Sequence, residues 1–250
     1  MSEAHEAAKE AMSIGERISH HIRIETVFTI KAFGLSVPIS DTVIATWVVM
    51  ALLILAAWLL TRRMRLVPGK AQALLEAFVG FVNDFAEEKL GHHGKTYAAF
   101  LGTIFLFLIA ANLAPMLTPI GGFGFEPPFV IKPLTRDINV TAAFAVTVIV
   151  TVIGSTFRYK GVKGWAKGLV SPMPFMLPFN LMEYAIKPVS LALRLFGNIL
   201  GAYIIMLLVE AVMPVAAPPI AGLYFDLFDG LIQAVVFSFL STVYVAEAIE

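Results

Sequence analysis

From Thr42 to Leu60 the chain runs nineteen residues without a charge, and nothing else narrows its possible folds so much. At about 1.5 Å per residue such a run nearly crosses a hydrocarbon core about 30 Å thick. Within lipid no water is present to satisfy backbone N–H and C=O groups, so a spanning segment closes its hydrogen bonds within itself as a helix or joins a closed barrel. Four more apolar segments follow, at Tyr97–Leu117, Ile138–Phe157, Phe179–Met213 and Leu223–Glu247. Soluble domains average about 25% charged residues; this chain of 250 has 14%, with 58% hydrophobic. The expected fold is therefore an all-α membrane protein with five transmembrane helices, over about 42–60, 97–117, 138–157, 179–213 and 223–247.

Ala71–Leu90 is different in kind. Leu74, Leu75, Phe78, Phe81, Val82 and Phe85 share one face at about 100° per residue, while Glu76, Asn83 and Glu87 face away. This spacing predicts an amphipathic helix at the membrane surface or packed on a neighbour. Gly121–Thr135, rich in Gly and Pro, reads as a loop. Residues 1–41 hold Glu3, Glu6, Glu10, Glu16 and Glu25 with no apolar run before Val43. They do not read as a signal peptide and form an N-terminal segment ahead of one membrane domain, 42–250.

The last two apolar segments are too long. As single helices they would measure about 50 Å and about 40 Å, so they must tilt or kink. Pro188 offers a kink site in the first, and Pro214, Pro218 and Pro219 turn the chain between them. A slanted helical hairpin is the expected form. Six Lys/Arg follow the first span and four follow the third, against two and none in the loops at 119–137 and 214–222. The positive-inside rule then places the N-terminus outside and the C-terminus in the cytoplasm.

Several functions are excluded. A formal net charge of zero gives no reason to expect nucleic acid as a partner. No cysteine is present, and His5, His20, His21, His92 and His93 all lie outside the apolar segments, so no metal site or cofactor is implied. The chain has no phosphate-binding P-loop pattern, so any nucleotide chemistry belongs to a partner.

Against this apolar background Arg194 stands out, mid-segment with apolar residues on both sides. Arginine keeps its charge, since its pKa exceeds about 12, and a cation at bilayer depth costs at least about 2.5 kcal/mol. It needs partners, water or a functional counter-charge. On a helical projection Glu183, Arg194, Lys187 and Asn198 fall, in that order, within about 60° of one another, while Glu210 lies on the opposite side. On the last segment Asp226, Tyr244 and Gln233 share one line, and Asp229 and Glu247 lie about 60° to one side of it. Two polar stripes on consecutive helices are expected to face each other or a shared aqueous cavity. By the orientation above, Glu183 lies on the cytoplasmic side of Arg194. Tyr203 and Glu210 lie on the outer side, together with Asp226 and Asp229. Polar groups approach the arginine from both surfaces, as two offset half-channels divided by a positive barrier would require.

The stretch Pro188-Val189-Ser190-Leu191-Ala192-Leu193-Arg194-Leu195-Phe196-Gly197-Asn198 resembles the signature of subunit a of F-type ATP synthases. Asp137–Thr141 and Leu231–Phe237 agree, and the resemblance extends from about Val43 to the C-terminus. It implies a non-catalytic stator subunit of the cell (inner) membrane that carries H⁺ or Na⁺. Its long hairpin would lie against the c-ring, with peripheral-stalk subunit b and the remainder of the synthase as further partners. In the family the arginine faces the carboxylate of each passing c-subunit, favours its ionised form and blocks leakage. Arg194, Asn198 and Gln233 match family positions, and Asn112 resembles an inlet asparagine. Tyr203 and Asp226 depart from the pattern, standing where many members have Glu or His. They suggest a titratable inlet group moved from one helix to the next, with Asp229 as a further inlet candidate. Glu183, with Lys187 one turn away, is the candidate outlet on depth and face alone. A second reading, a self-contained secondary transporter binding an anionic substrate through Arg194, would need a central substrate cavity and activity in isolation.

Overall fold

The computed structural model describes residues 26–32, 35–117, 133–170, 173–213 and 217–249. Residues 1–25, and the expected Gly121–Thr135 loop as far as residue 132, lie outside the described residues. Ahead of the membrane domain, β1 (Thr26–Ala32) and β2 (Leu35–Ser40) pair antiparallel, Thr26 opposite Ser40 and Ala32 opposite Leu35. The segment carries no recognisable motif, yet Val27, Phe28, Ile30, Val37 and Ile39 are the β-branched and aromatic types that suit a pleated strand.

Among the described residues, nearly everything after Ser40 is helical. Helix α1 spans Asp41–Thr61, with Ser40 accepting from the Val43 N–H as its cap. Helices α2 (Lys70–Leu90) and α3 (Gly94–Leu113) form an antiparallel pair across a 3₁₀ turn at Gly91–His93, where Gly91 takes φ 54°. Phe78 stacks on Phe105, and Val82 packs at Gly102. The amphipathic face of α2 thus has a neighbour to cover, one of the two placements its pattern allowed. Helix α4 covers Ile138–Tyr159, and α5, Gly161–Val170, is short. Helix α6 runs unbroken through Pro188 from Leu177 to Val212, about 54 Å at about 1.5 Å per residue. Then come α7 (Ala217–Gly222), a π-helical stretch (Leu223–Asp229) and α8 (Gly230–Ile249).

Among the described residues five helical stretches have the length and composition to cross a membrane: Asp41–Thr61, Lys70–Leu113, Ile138–Tyr159, Pro174–Val209 and Ile220–Ile249. The all-α membrane fold read from the sequence holds. Leu108, Leu191, Leu195, Ala234 and Phe237 lie at its fully buried centre, where α3, α6 and α8 meet. Small residues such as Ala145 and Ala234 let the backbones approach, the usual device where lipid offers no hydrophobic drive for helices to pair. One face of α6 stays uncovered, with Phe179, Leu181, Met182, Ile186, Val189 and Leu193 all at least half exposed.

Gly94 tests the α2–α3 turn. A Cβ there would sit 2.6 Å from the Glu87 Cα and backbone N, and backbone atoms cannot swing aside. Gly94→Ala is expected to destabilise the fold by about 1–3 kcal/mol, the range for overpacking, seen as a lower thermal midpoint of the solubilised protein; an unchanged midpoint would show that the turn is not so tight.

Candidate functional site

Arg194 lies on the uncovered face of α6. Its side chain is exposed and lines an open groove of about 520 Å³ with Ala185, Ile186, Val189, Ser190 and Leu193. Apart from the Ser190 hydroxyl, those neighbours offer the guanidinium no polar side chain. A fixed cation on an apolar surface points outward, toward whatever covers that face.

One turn beyond Arg194, Asn198 donates its amide N–H to Gln233 Oε1 at 2.9 Å, linking α6 to α8. Gln233 is 2% exposed, and its Nε2 has no hydrogen-bond partner among the described residues. Two turns before Arg194, Lys187 meets Glu247 at 2.5 Å and lies 5.5 Å from the Tyr244 ring centre. The two stripes therefore face each other from Asn198–Gln233 to Lys187–Glu247. Asp226 and Asp229 do not follow the same projection. They sit in the π-helical stretch, where i→i+5 bonding changes the angle per residue from that of an α-helix.

At the end of the bundle where α1, α4 and α8 begin, polar groups form a compact knot. Asp137 is fully buried and caps α4, accepting from the Asn139 backbone N–H at 2.9 Å. Its other oxygen accepts from Thr42 Oγ1 at 2.5 Å and Ser40 Oγ at 3.2 Å, fixing the start of α1 beside the start of α4. The neighbouring Arg136 is 3% exposed, lies 3.8 Å from Asp41 and stacks over the Tyr203 ring of α6 at 4.9 Å. Asn112 is buried as well. It accepts from Thr135 Oγ1 at 2.8 Å and donates to the Gly230 carbonyl at 2.9 Å, tying α3 to the start of α8. Asp226 and Asp229 are half-buried. A Cβ added at Gly222 would meet the Met206 side chain of α6 at 3.0 Å and the Asp226 carboxylate at 3.4 Å, so Asp226 sits close to the α6 surface one turn past Tyr203. The Glu210 side chain lies outside the described residues.

At the opposite end Lys187 is paired twice. Glu183 lies 3.5 Å from its Nζ one turn back, and Glu247 lies closer, at 2.5 Å. Lys160, just past α4, donates to the Glu247 carbonyl at 3.3 Å. A cavity of about 50 Å³ opens between Tyr184, Lys187, Tyr244, Glu247, Val152 and Ala248. Sequence reasoning passes over two residues of these clusters as functional groups. Arg136 counts there only as a loop charge, and Glu247 only as the far end of a stripe. The adjacency of Arg136 to the Asp137–Thr141 stretch is the one available signal for the first.

The family model described as ATP synthase A chain matches residues 43–246. The chain is similar to "ATP synthase subunit a, sodium ion specific" of Propionigenium modestum, 38% identical over 217 residues, 85% of this chain and 75% of that one. It is also similar to ATP synthase subunit a of Moorella thermoacetica, 35% identical over 231 residues, 92% of this chain and 98% of that one. "ATP synthase subunit a 2" of Pelobacter propionicus is 35% identical over 212 residues, 85% and 88% of the two chains.

The Asp137 knot carries its own expectation. Asp137→Ala removes the α4 cap and takes from the buried Ser40 and Thr42 hydroxyls the acceptor they share, leaving them to bond each other, at a cost of about 1–3 kcal/mol. The thermal midpoint of Asp137→Ala should fall well below that of Asp137→Asn, which keeps an acceptor in place; equal midpoints would mean that the knot contributes little.

Proposed function

The chain belongs to the ATP synthase A chain family, and on that premise we propose that it is the ion-translocating stator subunit of an F-type ATP synthase, with Arg194 as the stator charge. As a subunit a it is a multi-pass membrane component of the complex and not itself catalytic. The observation that carries the finer reading is the exposed guanidinium of Arg194 on an uncovered apolar helix face. Lipid alone would leave that charge without a counter-ion. A ring of c-subunits presenting carboxylates would cover the apolar side chains and meet the charge together.

On this reading α6, about 54 Å long, and α8 lie tilted against the ring in the cell (inner) membrane. The N-terminal segment, residues 1–41, is outside, the C-terminus is cytoplasmic, and subunit b and the rest of the synthase complete the assembly. A cation enters from the outer side past Asp226, Tyr203 and Asp229, with Asn112, Asn198 and Gln233 lining or bracing the inlet. It neutralises a ring carboxylate, rides the ring round and leaves toward Glu183 and Lys187. Arg194 then favours the ionised carboxylate and expels the ion. Tyr203 held against Arg136 and Asp226 beside Met206 support an inlet on that side of α6. One relative is named as sodium ion specific, so the carried cation is H⁺ or Na⁺; synthesis driven by a pH gradient or by a sodium gradient tells them apart.

Replacing Arg194 with Ala or Gln should reduce ion-driven ATP synthesis to background while the complex still assembles. Arg194→Lys should nearly fail too, because an ammonium facing a carboxylate at low dielectric can give up its proton. Wild-type synthesis in Arg194→Ala membranes would sink the proposal. Asp226→Asn should slow synthesis several-fold, read as rate per assembled complex. Should Asp226→Asn and Tyr203→Phe both match wild type, the inlet runs elsewhere.

A further inference from the structure

Glu247 plays no part in the function proposed above, yet it makes the shortest charged contact to Lys187. The ammonium already has a counter-charge in Glu183, at 3.5 Å and one turn earlier on the same helix, the favourable orientation for an i,i+4 pair. A second carboxylate is not needed to neutralise it. As a structural pin it would contribute little, since solvent screening leaves exposed ion pairs weak and half of the Glu247 side chain is exposed. Beside the pair lies the cavity of about 50 Å³ bounded by Tyr184, Lys187, Tyr244 and Glu247, with Val152 and Ala248 as its apolar walls. A single water needs roughly 10–15 Å³ and two to four polar partners, so this space has room for several waters among an ammonium, a carboxylate and two phenols.

Position gives the cavity a role. Lys187 is seven residues from Arg194, about 10 Å along α6, and on the same stripe. Four charges gather at this end: Lys187 and Glu183 on α6, Glu247 on α8, and Lys160 after α4, which binds the carbonyl of Glu247 and not its carboxylate. Around Lys187 itself stand two carboxylates for one cation, so one carboxylate can release the ammonium while the other still holds it.

From this geometry we infer that Glu247, with the Tyr184–Tyr244 cavity, forms the cytoplasmic exit of the cation path, its pairing with Lys187 closing the exit between passages. The inference rests on the stator reading of Arg194. A monovalent cation released at the ring passes into the cavity water and is taken up by the Glu247 carboxylate, which lets go of Lys187. If the cation is a proton, it binds a carboxylate oxygen and is then lost to cytoplasmic water. If it is sodium, the carboxylate lends an oxygen ligand in place of one water. In either case Glu247 returns to its charged form and pairs again with Lys187. Glu183 is then the standing partner of Lys187 on the way to that exit.

The test uses the complete synthase in liposomes, with Glu247→Gln, Glu183→Gln and Arg194→Ala prepared side by side. Synthesis per assembled complex is measured under a pH gradient and under a sodium gradient. A three- to tenfold loss in Glu247→Gln, under whichever gradient drives the wild type, and a larger one than in Glu183→Gln, is the expected result. In Glu247→Cys complexes, a cationic thiol reagent added from the cytoplasmic side should block flux more than a neutral reagent of equal size. Wild-type rates per complex in Glu247→Gln would overturn the inference, as would failure of both Glu247→Gln and Glu247→Cys to assemble, which would make the residue a structural pin. If Arg194→Ala also kept wild-type synthesis, the stator reading itself would fall; with Arg194→Ala inactive, only the exit assignment would.

Discussion

A polar group at membrane depth has no water to turn to, and most of this architecture follows from that constraint. It makes every spanning segment a helix, because only a helix closes its own backbone hydrogen bonds within one segment. It also gathers the side-chain polarity into a few places. Asp137, Thr42, Ser40, Arg136 and Asn112 form a knot where α1, α4 and α8 begin. Lys187, Glu183, Glu247 and Lys160 gather at the other end. Between them the described cross-link from α6 to α8 is the Asn198–Gln233 amide pair. Polar side chains paired across the bundle answer one another in place of water, and each end cluster ties helices together.

The sequence announced this plan unevenly. The spans were legible because a long uncharged run has few other uses, and the helices follow those runs closely. The stripe of Glu183, Lys187, Arg194 and Asn198 was legible because α6 is regular through Pro188, so the α-helical period carries from one end to the other. On α8 the same arithmetic works from Gly230 onward, placing Gln233 against Asn198 and Glu247 against Lys187. It lapses before Gly230, where a π-helical stretch holds Asp226 and Asp229. No residue type there marks the change of helix, so the positions of those aspartates relative to Gln233 were hidden.

Contacts across long separations were hidden for another reason. Arg136 stacks on Tyr203 and Lys187 meets Glu247, partners that lie far apart along the chain. Periodicity describes one helix at a time; which helices touch is decided by packing of the whole bundle around Leu108, Leu195 and Phe237. The β1–β2 hairpin is not legible in the sequence because a short run of Val, Thr and Ile also suits a loop leading into a helix. In each case the missing information was a partner and not a propensity.

That division bears on why a charge such as Arg194 is left on the uncovered face while Arg136 is folded inward. Arg136 lies beside Asp41 and the Tyr203 ring, and so its charge is answered inside the chain. Arg194 faces Ile186, Val189 and Leu193, which answer its bulk and not its charge. A guanidinium satisfied within its own chain would hold its carboxylate permanently and have none to offer a moving partner. One left unsatisfied attracts each carboxylate presented to it and, having no proton to lose, releases it unchanged when the next arrives. The repeated exchange proposed for this face therefore suits Arg194, which has no charged partner among the described residues, better than Arg136.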